Sequence, residues 1–338
     1  MENEVVTKPA LYKPTTEIAT DVQLLELFDR HIYWLSTASG ERVPIPSVTT
    51  QLQAVSNEFI PRLRGDIGNR EADARMNQAG MAGRRIHYAS YVYTKGGVVL
   101  YDYPQEININ PEWREKVQNT IAKCQQLGVP YYVLKEQEEY VKFLRAKAWH
   151  DIVNPVVHYA EISLGSIEEF AAGTVDKIIE IPETKTFSDI AGSRDVTLEA
   201  GYWIYDEKNG FYDKLSAQMQ VAEYMILAEK NLPLEFKGTI IVHTNATTGG
   251  KNPKLSTYVT GREEAHEWAK KFKAVQTMWL AQNPNWKPEV ETFNPIAMRK
   301  QVEEGMRSGE VLPLPERVEP KAVVEGEAAQ PKKKRQRC

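Results

Sequence analysis

This chain has little cysteine, few histidines and no excess of positive charge, and each shortage closes off a class of function. Its 338 residues include two cysteines, Cys124 and Cys338. Two thiols cannot build a disulfide framework, and they exclude a four-cysteine iron–sulfur cluster; the usage fits a reducing, intracellular setting. There are six histidines, His31, His87, His150, His158, His243 and His266. A lone histidine is more often a surface or hydrogen-bonded core residue than a ligand, so a metal role needs a pattern around it. No run approaches the ~18 apolar residues of a membrane-spanning helix. The polar opening Met1-Glu-Asn-Glu-Val-Val-Thr-Lys8 lacks the apolar stretch of a signal peptide. The net charge is −4, and the five cations within Lys332–Arg337 leave residues 1–330 with 37 basic against 46 acidic groups, a net of −9. A whole-chain basic footprint for nucleic acid is therefore absent. A chain of this kind that handles DNA needs a local positive path, and Arg62, Arg64, Arg70, Arg75, Arg84 and Arg85 crowd one segment that can supply it.

What is present suits an ordinary folded protein of one large or two small domains, with 42% hydrophobic residues. Asp21–Arg30 has helical spacing, and His31–Leu35 with Gly40 suggests a hairpin leading into Pro46. Residues 66–94 read as a helix bearing His87, with Gly80 and Gly83 allowing a close approach or a kink. Pro111 opens a helix to Leu127, because proline suits the first turn. A short strand near Val129–Leu134 and a helix from Glu136 to Trp149 follow. Strands near 156–163, 170–181 and 201–207 form a meander, with a polar hairpin insertion at 182–194. Leu215, Met219, Ala222 and Ile226 recur at the helical period up to Asn231. Gly238–Thr244 reads as a buried strand, and Glu263–Gln282 as a helix with Trp268, Phe272, Val275 and Trp279 on one stripe. A short helix is expected at 296–307 and disorder over 309–338.

Within this frame, Asp176 lies on the strand Gly173-Thr-Val-Asp176, and Asp206-Glu207-Lys208 ends the next one. Side chains alternate along a strand, so Asp206 and Lys208 share a face and Glu207 points away. Mg²⁺ and Mn²⁺ take oxygen ligands, commonly from one or two carboxylates. A lysine beside a metal-bound water can orient it, stabilise charge on a phosphate, or accept a proton if its pKa is lowered. Two carboxylates and a lysine on adjacent strands thus point to metal-dependent phosphodiester hydrolysis. The plainer alternative for Asp-Glu-Lys-Asn-Gly is a charged hairpin turn.

These segments together resemble the PD-(D/E)xK nuclease superfamily, in its RecB-like exonuclease branch, which includes phage exonucleases and the mitochondrial genome maintenance exonucleases. The resemblance runs from Pro46 to Trp279. It is carried by Pro46-Ser-Val-Thr49, Gly83-x-x-x-His87, the strand ending in Glu161, Gly173-Thr-Val-Asp176, Asp206-x-Lys208 and Gln220-x-x-x-Tyr224. Tyr91 stands where that group often has Glu, and Asn209-Gly210 where it has Thr-Ser. The resemblance implies an α/β fold with a restriction-endonuclease-like core, a mixed central sheet flanked by helices. It implies an N-terminal accessory segment over 1–45, a nuclease domain over 46–285 and a tail over 286–338. It implies that His87, Asp176, Asp206 and the carbonyl of Glu207 bind Mg²⁺ or Mn²⁺. Lys208 then serves the attacking water, and Glu161 a second metal or the water network. Gln220 and Tyr224 contact DNA or brace the site, and Arg84 and Arg85 line the DNA path.

The activity so implied is hydrolysis of single-stranded DNA or DNA ends in phage or bacterial replication, recombination or repair. The implied partners are DNA and a single-strand annealing or replication protein, in the cytoplasm and with no membrane. Lys332-Lys-Lys-Arg335 resembles a nuclear localisation run, which applies only in a eukaryotic host. Two rivals stay open: a nuclease-fold protein without catalysis that binds DNA or serves assembly, and a structure-specific endonuclease.

Overall fold

A computed structural model of the chain describes residues 22–27, 30–37, 41–55, 64–102, 111–188, 195–210, 213–244 and 255–286. All belong to one compact unit, Met1–Pro288. Arg62, the expected helix at 296–307 and the tail at 309–338 lie outside the described residues.

The elements in chain order are β1 (Val22–Leu27), β2 (Arg30–Ser36), β3 (Arg42–Ile45), α1 (Val48–Leu52), α2 (Asn69–Thr94), β4 (Val98–Tyr101), α3 (Pro111–Leu127), β5 (Tyr131–Leu134), α4 (Gln137–Val153), β6 (Val156–Ser166), β7 (Ala171–Ile181), β8 (Lys185–Ser188), β9 (Asp195–Leu198), β10 (Gly201–Lys208), α5 (Lys214–Asn231), β11 (Phe236–His243), β12 (Ser256–Gly261) and α6 (Arg262–Gln282). The fold is mixed α/β. Its centre is a five-strand mixed sheet of order β12-β11-β10-β7-β6, with helices packed on it. Strands β6, β7 and β10 are antiparallel neighbours, while β10 and β11 run parallel. Parallel neighbours need a crossover, and α5 supplies it.

Alternation sorts the sheet into two faces. Ile178 and Ile204 pack with Met219 and Ala222 of α5 and Phe272 and Val275 of α6. Ile179, Trp203 and Tyr205 pack on the other side with Trp149 of α4. Each fully buried large aliphatic side chain contributes about 1.5–3 kcal/mol. The segment around Pro46 turns into α1 because the Ser47 hydroxyl accepts the Thr50 N–H at 2.9 Å. Gln51, wholly buried, donates to the Phe170 carbonyl at 2.8 Å and accepts from Gln276 at 2.7 Å, tying α1 to α6.

Three expectations need correction. The helical spacing at 21–30 misleads, since β1 is a strand that pairs antiparallel with β2 from Val22↔Leu35 to Leu27↔Arg30. Backbone pairing within a three-strand sheet outweighs a short helical pattern. Gly80 and Gly83 of α2 serve no close approach, because a Cβ at either would meet nothing within 4 Å. Leu215, expected to begin the buried stripe of α5, is 46% exposed. The polar insertion after β7 does carry a hairpin pair, β8 with β9. Strands β4 and β12 were not anticipated from the sequence.

A buried carboxylate gives this core a pH dependence. Glu223 of α5 is fully buried, with one oxygen 3.1 Å from Lys273 of α6 and the other without a hydrogen-bond partner. Burial pushes its carboxyl up to about 7, against the pull of Lys273. A carboxyl whose folded pKa lies above its unfolded value stabilises the protein most below the unfolded value, and that stability is lost as pH rises through the folded one. The melting temperature is therefore expected to fall between pH 5 and 8, by at most about 1.4 kcal/mol of stability per pH unit from this group. Glu223→Gln should remove most of that slope and melt higher than wild type at pH 8. An equal slope in wild type and variant would contradict the assignment.

Candidate metal centre

The sheet splits where Asp176 sits. Strand β10 pairs with β7 from Gly201↔Ile181 to Tyr205↔Lys177 and then leaves it. Beyond that point Asp206, Glu207 and Lys208 pair only with β11, while β7 stays paired with β6. The Glu207 N–H, no longer facing a β7 carbonyl, donates to Asp176 Oδ2 at 2.8 Å. Across the β6–β7 ladder, Glu161 lies between the pairs Ala160↔Lys177 and Ile162↔Val175, opposite Asp176. Its φ of 53° is left-handed, a conformation that costs a non-glycine residue of order 1–3 kcal/mol. Helix α2 crosses the fork and brings His87 Nδ1 to 3.4 Å from Asp176 Oδ2.

His87, Glu161 and Asp176 can each offer one ligand atom such that all lie within 4.8 Å of one another. Among the described residues this is the group so placed. Two carboxylates and an imidazole form a donor set that fits a divalent cation such as Mg²⁺ or Mn²⁺. As an imidazolium paired with Asp176, His87 must give up its proton before it can ligate a cation. Burial opposes charge on both His87 and Asp176, yet their mutual attraction dominates. It raises His87 to about 10 and, helped by Lys208 and the Glu207 N–H, holds Asp176 down at about 2. Crowding by protein, then the Asp176 charge, pushes the Glu161 carboxyl up to about 7. Glu161 is the solvent-exposed member of the three, which tempers that rise.

The other expected residues form a second strand of contacts beside the first. Lys208 Nζ lies 2.8 Å from Asp206 Oδ2 and donates to Gln220 Oε1 at 3.0 Å. Gln220 Nε2 donates to the Tyr224 hydroxyl at 3.1 Å. Asp206 and Lys208 therefore do share a face, the one that α5 covers. Asp206 stands outside the group of three; it is an ion-pair partner for Lys208, and burial raises its carboxyl despite that partner. Lys208 is raised in pKa, because Asp206 and Asp176 overcome the cost of burial, so it is an ammonium at neutral pH. Gly173 is needed for this bracing: a Cβ there would lie 2.4 Å from Tyr224 Cε1.

Arg85 and Arg84 differ in placement. Arg85 makes a two-toothed pair with buried Glu139, at 2.9 and 2.5 Å, beside a cavity of about 380 Å³ that also reaches Asn209 and Gly210. Arg84 is exposed on α2. His158 bonds Glu180 at 2.8 Å, and His243 meets the Gly210 carbonyl at 3.0 Å, both away from the three ligand candidates.

Sequence reasoning missed a buried cluster on the opposite face of the fork. Lys177 Nζ donates to Ser90 Oγ at 2.7 Å and lies 3.2 Å from His150 Nε2. Ser90 Oγ donates to Glu207 Oε2 at 2.9 Å, and Lys177 Nζ is 3.7 Å from the same oxygen. The Lys177 ammonium also sits 4.6 Å from the centre of the Tyr205 ring. Burial lowers the Lys177 pKa, and Glu207 counters it. The signal was present: a lysine within Val175–Ile181, an otherwise apolar strand, must find a buried partner. Each member is one step from the site. Lys177 follows Asp176, Glu207 follows Asp206, and Ser90 lies one helical turn after His87.

No family model matches the chain. No curated protein matches it either. The site therefore rests on its own geometry.

Proposed function

We propose that this chain is a metal-dependent nuclease that hydrolyses DNA phosphodiester bonds, on a restriction-endonuclease-like core. The observation that carries this reading is the strand fork, which gathers His87, Glu161 and Asp176 while the adjacent strand presents Lys208 on its Asp206 anchor. Those three would hold the cation, which supplies charge neutralisation and an activated water when bound. Lys208, as an ammonium, is suited to holding a phosphate oxygen and its developing charge, not to accepting a proton. Gln220 and Tyr224 fix its position. The exonuclease mode comes from the sequence resemblance. No helix among the described residues is long and apolar enough to cross a membrane.

The test is digestion of end-labelled single- and double-stranded DNA with Mg²⁺ or Mn²⁺, beside a covalently closed circle. The expected outcome is metal-dependent loss of linear DNA that chelation stops, with the circle left intact. Cleavage of the circle would move the reading to an endonuclease. No cleavage of any substrate by folded protein would leave a DNA-binding or assembly role.

A further inference from the structure

One face of α2 is not used by the site. Arg84, Tyr88, Tyr91 and Lys95 recur along it at spacings of four, three and four, which places them on a single stripe. Tyr88 directly follows His87 and is 52% exposed. Its ring is held edge-on by Tyr132 of β5, with centroids 4.8 Å apart and planes at 80°. Tyr91 lies nearly parallel to Tyr88, at 26° and 6.0 Å, and the Lys95 ammonium stands 5.3 Å from the Tyr91 ring centre. An exposed tyrosine stacked on a half-buried one, with a lysine beside the second, is unusual on a body with a net charge of −9 over residues 1–330. Its chemistry is that of a stacking surface for nucleobases with cations for the backbone.

We infer that the Arg84–Tyr88–Tyr91–Lys95 stripe binds single-stranded DNA, stacking bases on Tyr88 and Tyr91 and leading the strand to the fork. The inference rests on the nuclease reading and adds the substrate's form. From Arg84 to Lys95 the helix rises about 16 Å, room for about five bases at the 3.4 Å stacking distance. The ring of Tyr88 is already ordered by Tyr132, so little side-chain freedom is lost on binding. Single strands suit the stripe because their bases have open faces, which duplex ends offer only at the terminal pair.

The test uses the full chain in EDTA, so that binding is read without cleavage. Anisotropy of a short fluorescein-labelled oligo(dT) and of a matching duplex would be measured for wild type, Tyr88→Ala, Tyr88→Phe and the double variant Tyr88→Ala/Tyr91→Ala. Tyr88→Ala is expected to weaken oligo(dT) binding by about 5- to 100-fold, the size of one lost base–aromatic stack, and to change duplex binding by less than about twofold. Tyr88→Phe should bind within about twofold of wild type, since the ring is kept. Thermal melting of each variant checks that it is folded. Wild-type protein that does not bind oligo(dT) would overturn the inference. So would a folded double variant that binds as well as wild type, which would leave the tyrosine face to a protein partner. Failure of the nuclease reading would look different: wild-type chain would bind oligo(dT) yet leave it uncut when Mg²⁺ or Mn²⁺ is added.

Discussion

Asp176→Asn is expected to reduce DNA cleavage by at least about a hundredfold in protein that circular dichroism shows to be folded. The substitution keeps a carbonyl oxygen that can accept the Glu207 N–H, now bonded to Asp176 Oδ2 at 2.8 Å. It removes the charge that faces His87 and that, with Glu161, would hold the cation. Loss of one such electrostatic element commonly costs two to three orders of magnitude in turnover, roughly 2.7–4 kcal/mol. Because Asp176 and His87 hold each other's charges, the variant also loses some stability, so cleavage is compared at a temperature where both proteins are shown to be folded. Near-normal cleavage by folded Asp176→Asn would remove the catalytic assignment.

The largest expected effect on stability comes from the other face of the fork. Lys177→Met would leave the Glu207 carboxylate, 1% exposed at its side chain, without its cation. One oxygen of Glu207 already lacks a hydrogen-bond partner, so the remaining Ser90 and Tyr205 hydroxyls would face an uncompensated buried charge. Removing one partner of a buried pair costs about 3–5 kcal/mol, whereas replacing both with neutral groups is far milder. The double variant Lys177→Met/Glu207→Gln should accordingly recover part of the loss seen in Lys177→Met alone. Chemical denaturation of the single and double variants measures both. A cost under about 1 kcal/mol for Lys177→Met would mean that the pair is not the clamp described. The clamp matters beyond stability, because Ser90 is one turn from His87 and Lys177 adjoins Asp176, so loosening it moves two ligand candidates together.

The sequence made the larger elements legible for identifiable reasons. Helices α3 and α6 announce themselves by Pro111 at a first turn and by a stripe in which Phe272, Val275 and Trp279 are buried and Trp268 is half-buried beside them. The alternation in Asp206-Glu207-Lys208 placed Asp and Lys on one face, and Lys208 does reach both Asp206 and Gln220. Strand β1 was misread because a short amphipathic run fits both periods, and its partner β2, not its own pattern, decides between them. Asp206, expected among the ligands, pairs with Lys208 at 2.8 Å on the face that alternation gives them both. The fork at Lys177/Tyr205 is a property of pairing between distant segments, and it sets Asp176 beside Glu161 and His87 while Asp206 turns to Lys208. The left-handed backbone of Glu161 was likewise invisible, since nothing in Tyr159-Ala-Glu161-Ile marks a break in an extended strand.

On the reading proposed above, His87, Glu161 and Asp176 hold a divalent cation. The most direct measurement is a crystal of the full chain soaked in Mn²⁺, with diffraction collected to locate the anomalous scatterer. One strong peak is expected at the fork, with oxygen and nitrogen atoms of these three residues at about 2.0–2.3 Å from it. No peak there at saturating Mn²⁺, or a peak bound by other residues with His87 still turned to Asp176 alone, would contradict that reading.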